Sequence, residues 1–287
     1  MDDTRLGAAL VLCSAVGFGT LGILGIVAGD AGLSIPTILS FRFILATVLV
    51  WVVFGLRGEI RLLRGRRFVA GVGLGSVGYA AVSGLYFLGL GVMTAGMAGI
   101  VLYTYPAFVL VLSAAFLDEP IGRRRLSALV ITIGGIALIT GADPAAADPR
   151  GIAVVLLAAI LYAAYITVSR TTLEEVTPPT LTAHVMPAAA GTFLLVGAAT
   201  DTLGVPSGAV AWGSVLGIAV LATAIPIFAF FAGLSRIGAG PASILSTVEP
   251  VATVVLGAVF LAEPVGPAVV AGGSLVLVGV VLVARTW

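Results

Sequence analysis

Apolar residues run in blocks of about twenty from one end of the chain to the other, and polar residues collect in short breaks between the blocks. A block of that length crosses a hydrocarbon core of about 30 Å as an α-helix. The pattern predicts ten spans: Leu6–Ala28, Ser34–Gly55, Phe68–Leu90, Ala95–Phe116 and Leu126–Gly141, then Gly151–Arg170, Pro179–Ala199, Ala209–Gly233, Ala239–Leu261 and Gly266–Ala284. Only a short DEPIGRRR turn parts the fourth span from the fifth, which makes that junction the one place where the count is open. The first span follows MDDTR, which lacks the basic stretch of a signal peptide. Its apolar run also exceeds a signal core of about 7–15 residues, so a retained first helix is expected.

The blocks repeat. Ala95 to Gly122 reads AGMAGIVLYTYPAFVLVLSAAFLDEPIG, and Ala239 to Gly266 reads AGPASILSTVEPVATVVLGAVFLAEPVG, 144 residues later and with roughly half the positions identical. Pro106 answers Pro250, Glu119-Pro120 answers Glu263-Pro264, and Gly122 answers Gly266. An offset of half the chain means one unit written twice, with domains expected at 1–143 and 144–287. Five spans per unit is an odd number, so the second copy enters the membrane from the opposite face. That gives an all-α membrane protein: ten transmembrane helices as two inverted five-helix repeats around a central cavity, an arrangement that secondary transporters use.

Charge supports the count. With alternating loops, one side carries Arg5, Arg57, Arg61, Arg64, Arg66, Arg67, Arg123, Arg124, Arg125, Arg170, Arg236 and Arg285, the other only Arg150, and Arg42 falls inside a span. The positive-inside rule then places both termini in the cytoplasm, with the cell membrane as the expected location. Glu119-Pro120 falls on the cytoplasmic side and Glu263-Pro264 outside. The chain is 60% hydrophobic and 9% charged, against about 25% charged in soluble domains. One cysteine, Cys13, excludes an internal disulfide and a cysteine metal cluster. There is no Lys, Asn or Gln, so polar recognition within the membrane falls to Ser, Thr, Tyr, a few charges and freed backbone groups. The basic loop Arg57–Arg67 and the Pro/Asp/Ala linker Ala142–Arg150 are too short to be catalytic domains. No cofactor, metal or nucleic-acid partner is indicated; a small-molecule substrate and the lipid bilayer are, with the oligomeric state left open.

Glu249 is the sharpest candidate. A carboxylate at membrane depth costs roughly 2.5–3.5 kcal/mol and by default marks a functional site. Pro250 leaves a carbonyl of the preceding turn without its helical donor, as Pro106 does in the first copy, and both are expected to kink their helices. Two readings stand for Glu249: substrate or proton handling, and a structural ion pair with Arg42. Arg42 itself suits an ion pair or gate, binding of a carboxylate, or snorkelling to an interface. Tyr105 occupies the place of Glu249 in the first copy, with the charge gone. Tyr79, Ser83 and Tyr86 share one face of the third helix, and Ser246, Glu249 and Thr253 one face of the ninth. Tyr162 and Tyr165 form a further stripe on the sixth helix, answering Phe18 on the first. A midplane cavity bordered by helices three, four, eight and nine is expected from these. Such tyrosines also serve as plain packing, and His184, the sole histidine, reads as structural and close to an interface. Gly17-Phe18-Gly19-Thr20-Leu21-Gly22 matches G-x-G-x-x-G, but inside a span it reads as helix packing rather than a nucleotide loop, as do Gly25/Gly29, Gly71/Gly75 and Gly213/Gly217.

The two inverted halves, the Tyr-x-Pro and Glu-Pro segments, the helix ends FLDEPIG and FLAEPVG, and Arg42 within PTILSFRF resemble the EamA-type members of the drug/metabolite transporter superfamily. The resemblance spans the whole chain, although SAVGFGTLG replaces the usual Trp-Gly start of the first helix. It implies a cavity between the halves and export of amino acids or related metabolites. An enzyme is disfavoured: there is no His cluster, no H-E-x-x-H motif and no lysine.

Overall fold

The computed structural model describes residues 2–93, 95–141, 148–262 and 264–284. Among these residues ten helices follow one another: α1 Asp3–Asp30, α2 Ile35–Leu56, α3 Gly65–Leu90, α4 Met97–Phe116, α5 Arg123–Thr140, α6 Pro149–Thr172, α7 Pro178–Ala199, α8 Gly208–Ile237, α9 Ala239–Phe260 and α10 Pro267–Ala284. Nine of these are long and apolar enough to cross a membrane among the described residues. The other, α5, packs lengthwise on α10 and begins with Arg123, Arg124 and Arg125, which dilute its first turn with charge. The expected linker Ala142–Arg150, Glu263 and Arg285 fall wholly or largely outside the described residues.

Local chemistry sets the helix starts. Asp2 and Ser34 cap α1 and α2 by accepting from Thr4 N–H and Thr37 N–H, and Asp148 accepts from Arg150 N–H at the start of α6. Pro36, Pro149 and Pro178 sit in first turns, where the missing N–H costs nothing.

The packing order carries the two-fold symmetry. α1 lies against α8 and α9, and α6 against α3 and α4; α2 packs on α7, and α5 on α10. Moving every helix five places along the chain maps this set of pairings onto itself, as two inverted copies require. The symmetry reaches into the helices. α3 is π-helical over Leu74–Ala81 and α8 over Val220–Ala224, positions that coincide at the 144-residue offset. The α-helical course is interrupted before each repeat proline: at Tyr103 and Thr104 ahead of Pro106, and by a 3₁₀ turn over Ser246–Val248 ahead of Pro250.

Lipid supplies no hydrophobic drive between helices, so close backbone approach matters. It occurs at some of the glycines that the spacing suggested and at others that it did not. Gly25, Gly29 and Gly213 have open space where a side chain would go, and Gly217 meets only ordinary contacts with Leu24. Of the three expected pairs, Gly71/Gly75 alone is tight: a Cβ on Gly75 would lie 2.3 Å from the Val185 carbonyl of α7. Gly17 and Gly19 do pack closely, against Leu221 and Pro226 of α8 and against α9. The closest mutual approach joins α5 and α10 at Gly135 and Gly272.

His184 is structural but buried rather than at an open interface. Its Nε2 accepts from Leu63 N–H at 3.2 Å, which leaves Nδ1 to donate to the Thr180 carbonyl at 2.8 Å. Together with Thr180, which accepts from Arg61 N–H and donates to Glu59 O, it ties the basic loop to α7.

Candidate substrate cavity

A cavity of about 480 Å³ lies between the repeats. Its wall takes Phe18, Leu21, Gly22 and Ile26 from α1, and Ile38, Leu39 and Arg42 from α2. Tyr79, Val82, Ser83 and Tyr86 come from α3, Leu102, Tyr103 and Tyr105 from α4, Tyr162 from α6, and Glu249 from α9. The expected site residues thus meet in one place, with one exception. Ser246 is buried beside the cavity, its hydroxyl donating to Ala242 O at 2.9 Å, and does not line it. The expected border also changes. α8 contributes no lining residue, whereas α1, α2 and α6 do. The reason is that α1 packs over α8 and α9 and covers the face of α8 that would otherwise meet the cavity. Gly22 and Gly25 leave that part of the wall open, as no side chain fills it.

Aromatic rings make a continuous belt. Tyr105 and Tyr162 stand 4.6 Å apart between centroids, Tyr103 and Tyr105 6.2 Å, and Tyr162 and Tyr165 5.8 Å. Tyr79 continues it to Phe43 at 5.1 Å. Tyr105 is only 2% exposed and anchors the floor, its hydroxyl donating to the Ser243 carbonyl at 3.2 Å. Ser83 turns its hydroxyl back to the Tyr79 carbonyl. Thr253 ties α9 to α1 through Gly19 O. Tyr103 belongs to no periodic stripe; the signal for it is its place just before the break that Pro106 imposes.

The two membrane-depth charges behave differently. Arg42 is 2% exposed. Its Nε donates to Thr223 Oγ1 at 2.7 Å, and its Nη2 donates to the Tyr79 hydroxyl at 3.0 Å and to Ala222 O at 3.2 Å. The guanidinium therefore joins the π-helical segments of the two repeats to each other, and lies 4.9 Å from the Phe43 ring centroid. It neither snorkels nor pairs with Glu249: among the described residues no ion pair joins them, and those that form lie at helix ends, as Arg67–Glu175 and Arg236–Asp3 do. The anticipated Arg42–Glu249 bridge is absent; oxygens of α3 and α8 instead take the Nε and Nη2 hydrogens of the guanidinium. The Glu249 carboxylate has no hydrogen-bond or ion-pair partner among the described residues, and it faces the cavity.

The cavity is closed on the face that carries the N-terminus. Ala239 to Leu245, the first turns of α9, are all buried there. The Glu119 carboxylate holds them: Oε1 accepts from Ala239 N–H at 2.8 Å and Oε2 from Gly240 N–H at 3.0 Å, with Arg125 at 4.0 Å. Gly238, at φ 83°, makes the turn before them, and a Cβ there would strike Glu119 at 2.6 Å. Toward the opposite face the lining continues to Ile26 and Ile35, each about half exposed. Removing the clamp has a measurable consequence. In a Cys13→Ser background, Ser243→Cys should react slowly with a membrane-impermeant thiol reagent added to the N-terminal face. Adding Glu119→Ala should raise that rate about tenfold or more, because charge-assisted bonds of this kind are worth about 1.5–3 kcal/mol and about 1.4 kcal/mol is a factor of ten. An unchanged rate would mean that the carboxylate is not what keeps this face shut.

The comparisons with known proteins agree with this architecture. An uncharacterized transporter of Archaeoglobus fulgidus is 30% identical over 277 residues, covering 96% of this chain and 98% of its own length. The uncharacterized transporter YcbK of Bacillus subtilis is 27% identical over 281 residues, covering 92% of this chain and 88% of its own. One solved crystal structure superposes with a TM-score of 0.85 over 98% of this chain and 96% of that one, at 19% identity, a likeness of fold alone. The model of the EamA-like transporter family matches twice, over residues 5–141 and 149–285. A helical, non-enzymatic membrane transporter with two copies of that domain, this chain belongs to the EamA-like transporter family, within the drug/metabolite transporter superfamily.

Proposed function

We propose that the protein is a secondary exporter of small amphipathic metabolites, amino acids or their relatives, that works by alternating access between the units 1–143 and 144–287, with both termini in the cytoplasm of a cell-membrane protein. The observation that carries this reading is a carboxylate, Glu249, without a partner among the described residues, on the wall of a cavity between the repeats that is shut toward one membrane face. A volume of about 480 Å³ falls within the range of about 300–1,000 Å³ typical of small-molecule pockets. Exchanging the conformations of the inverted copies closes one face and opens the other around the same site. Tyr105, Tyr79, Tyr86, Tyr162 and Ser83 supply apolar area with hydroxyl tips, and Glu249 supplies the charge that a substrate or proton neutralises. Ser246 acts from behind the wall, and Arg42 as the tie between the repeats. Pro106 and Pro250 break α4 and α9 at the depth of the site.

The test is flux in proteoliposomes loaded with labelled amino acids, with and without an imposed pH gradient. Wild-type flux should respond to the gradient. Glu249→Gln, which keeps size and a hydrogen-bonding tip, should melt like wild type and lose that response. If the variant is equally stable and still driven by pH, Glu249 handles neither proton nor substrate, and the coupling part of the reading falls.

A further inference from the structure

The geometry points to an amphipathic organic monocation, an amine or quaternary ammonium on an apolar body, as the preferred ligand of this cavity over a zwitterion or an anion. This rests on the transporter reading, keeps its small amphipathic substrate, and favours amine relatives of amino acids over the amino acids themselves. An arginine recognises a carboxylate most strongly through a free donor pair. Arg42 is the one guanidinium on the wall, and an arginine takes a carboxylate in bidentate fashion through Nε with Nη2 or through Nη1 with Nη2. Both hydrogens of Nη2 are committed, one to Tyr79 and one to Ala222 O, and Nε is committed to Thr223. Neither edge is available in full unless the bond network between the repeats is broken: Nη1 alone lies outside that network and can meet a carboxylate through one nitrogen, without the bidentate geometry that makes such pairs strong. With no Lys, Asn or Gln in the chain, no long side chain replaces it.

The wall around Glu249 is suited to positive charge. Glu249 presents a carboxylate without a partner among the described residues, and Tyr103, Tyr105 and Tyr162 line the same wall as one aromatic cluster. Rings of that kind attract a cation more strongly where solvent is excluded, and a half-buried carboxylate without a partner gains most from a ligand that neutralises it. The rest of the wall, Leu21, Ile26, Ile38, Leu39 and Val82, accepts an apolar body. Arg42 repels a cation, which places the ammonium at the Glu249 end and disfavours a second positive charge.

Isothermal titration of the full chain in detergent at neutral pH, with 2-phenylethylamine, L-phenylalanine and 3-phenylpropionate, isolates the carboxylate and the ammonium on one phenyl body. The amine should bind at least tenfold more tightly than either of the others. Glu249→Gln should weaken the amine tenfold or more. Tyr105→Leu should weaken it roughly 3–30-fold, whereas Tyr105→Phe, which keeps the ring, should not. Phenylalanine binding as tightly as the amine would overturn the inference, as would a Glu249→Gln variant that melts like wild type and binds the amine unchanged. Should the variants fail to fold, the three-ligand comparison on the wild type decides alone. Flux of the impermeant N,N,N-trimethyl derivative in proteoliposomes separates the two readings. A cation that binds but is not moved counts against transport and leaves the ligand class standing. Phenylalanine moved and bound in preference to the amine removes the ligand class and leaves transport.

Discussion

Gly135→Val is expected to abolish the folded protein, while Gly134→Val, one residue away, leaves it intact. A Cβ on Gly135 would sit 2.6 Å from Gly272 O and 2.9 Å from Val276 N, both backbone atoms of α10 that cannot turn aside. A Cβ on Gly134 meets nothing within 4 Å. The reciprocal pair should behave alike. Gly272 faces Gly135 O at 2.5 Å and Ile139 N at 2.9 Å, whereas the nearest atom to Gly273 is a Val251 methyl at 3.8 Å. Overfilling a packed core costs about 1–3 kcal/mol per intrusion even when side chains can adjust. Here two helix backbones must separate, and a membrane gives them no hydrophobic reason to return. The measurement is monodispersity in detergent and the midpoint of SDS-induced unfolding in mixed micelles. Equal behaviour of the Gly134 and Gly135 variants would mean that α5 and α10 do not approach at this register.

Thr223→Val should cost about 2–3 kcal/mol of stability in the wild type and little in an Arg42→Met background. Valine keeps the shape of threonine and removes the oxygen that accepts from Arg42 Nε at 2.7 Å. The substitution leaves a buried guanidinium with one N–H unpaired, and hydrogen bonds to charged groups are worth about 1.5–3 kcal/mol. Methionine is the residue the second repeat carries at the matching position, Met186, which is fully buried. It fills similar space without a charge to satisfy. Replacing a buried charge by an apolar residue of like volume is often neutral or stabilising, whereas removing one partner is not. The double-mutant cycle over Arg42 and Thr223 reads the coupling directly. Additive single effects would show that the bond between the repeats carries no energy. Because Arg42 joins α3 to α8 across the pseudo-axis, Arg42→Met should also loosen the coupling between the units.

Much of the architecture is legible in the chain, for reasons that are local and periodic. A span needs only length and apolarity. An inverted repeat needs only the match of Pro106 to Pro250 and of Glu119 to Glu263, an odd number of spans, and the placement of arginine. Glu249 stands out because charge at membrane depth is costly wherever the helix happens to face. Tyr79, Ser83 and Tyr86 of α3 stand out by i, i+4 and i+7 spacing and Tyr162 and Tyr165 of α6 by i, i+3 spacing, which assigns a face but not what that face meets. Hence the border of the cavity differs in part from the expected one. Periodicity does not reveal that α1 covers α8, so it puts α8 on the wall and leaves α1 and α2 off it.

Class, helix number, two-fold repetition and the residue types available for recognition follow from composition, length or spacing along one chain, and need no packing to be read. Which glycines bear a neighbouring backbone is a matter of packing alone, since 38 glycines offer many spacings and only the register between two helices selects Gly135 and Gly272. Packing likewise brings Glu119 to clamp Ala239 and Gly240, 120 residues away. It also keeps apart Arg42 and Glu249, the obvious pair on charge alone. A guanidinium takes the partners its surroundings place within reach, and here those are the hydroxyls of Tyr79 and Thr223 and the carbonyl of Ala222, which only the packing of both repeats around α2 brings together.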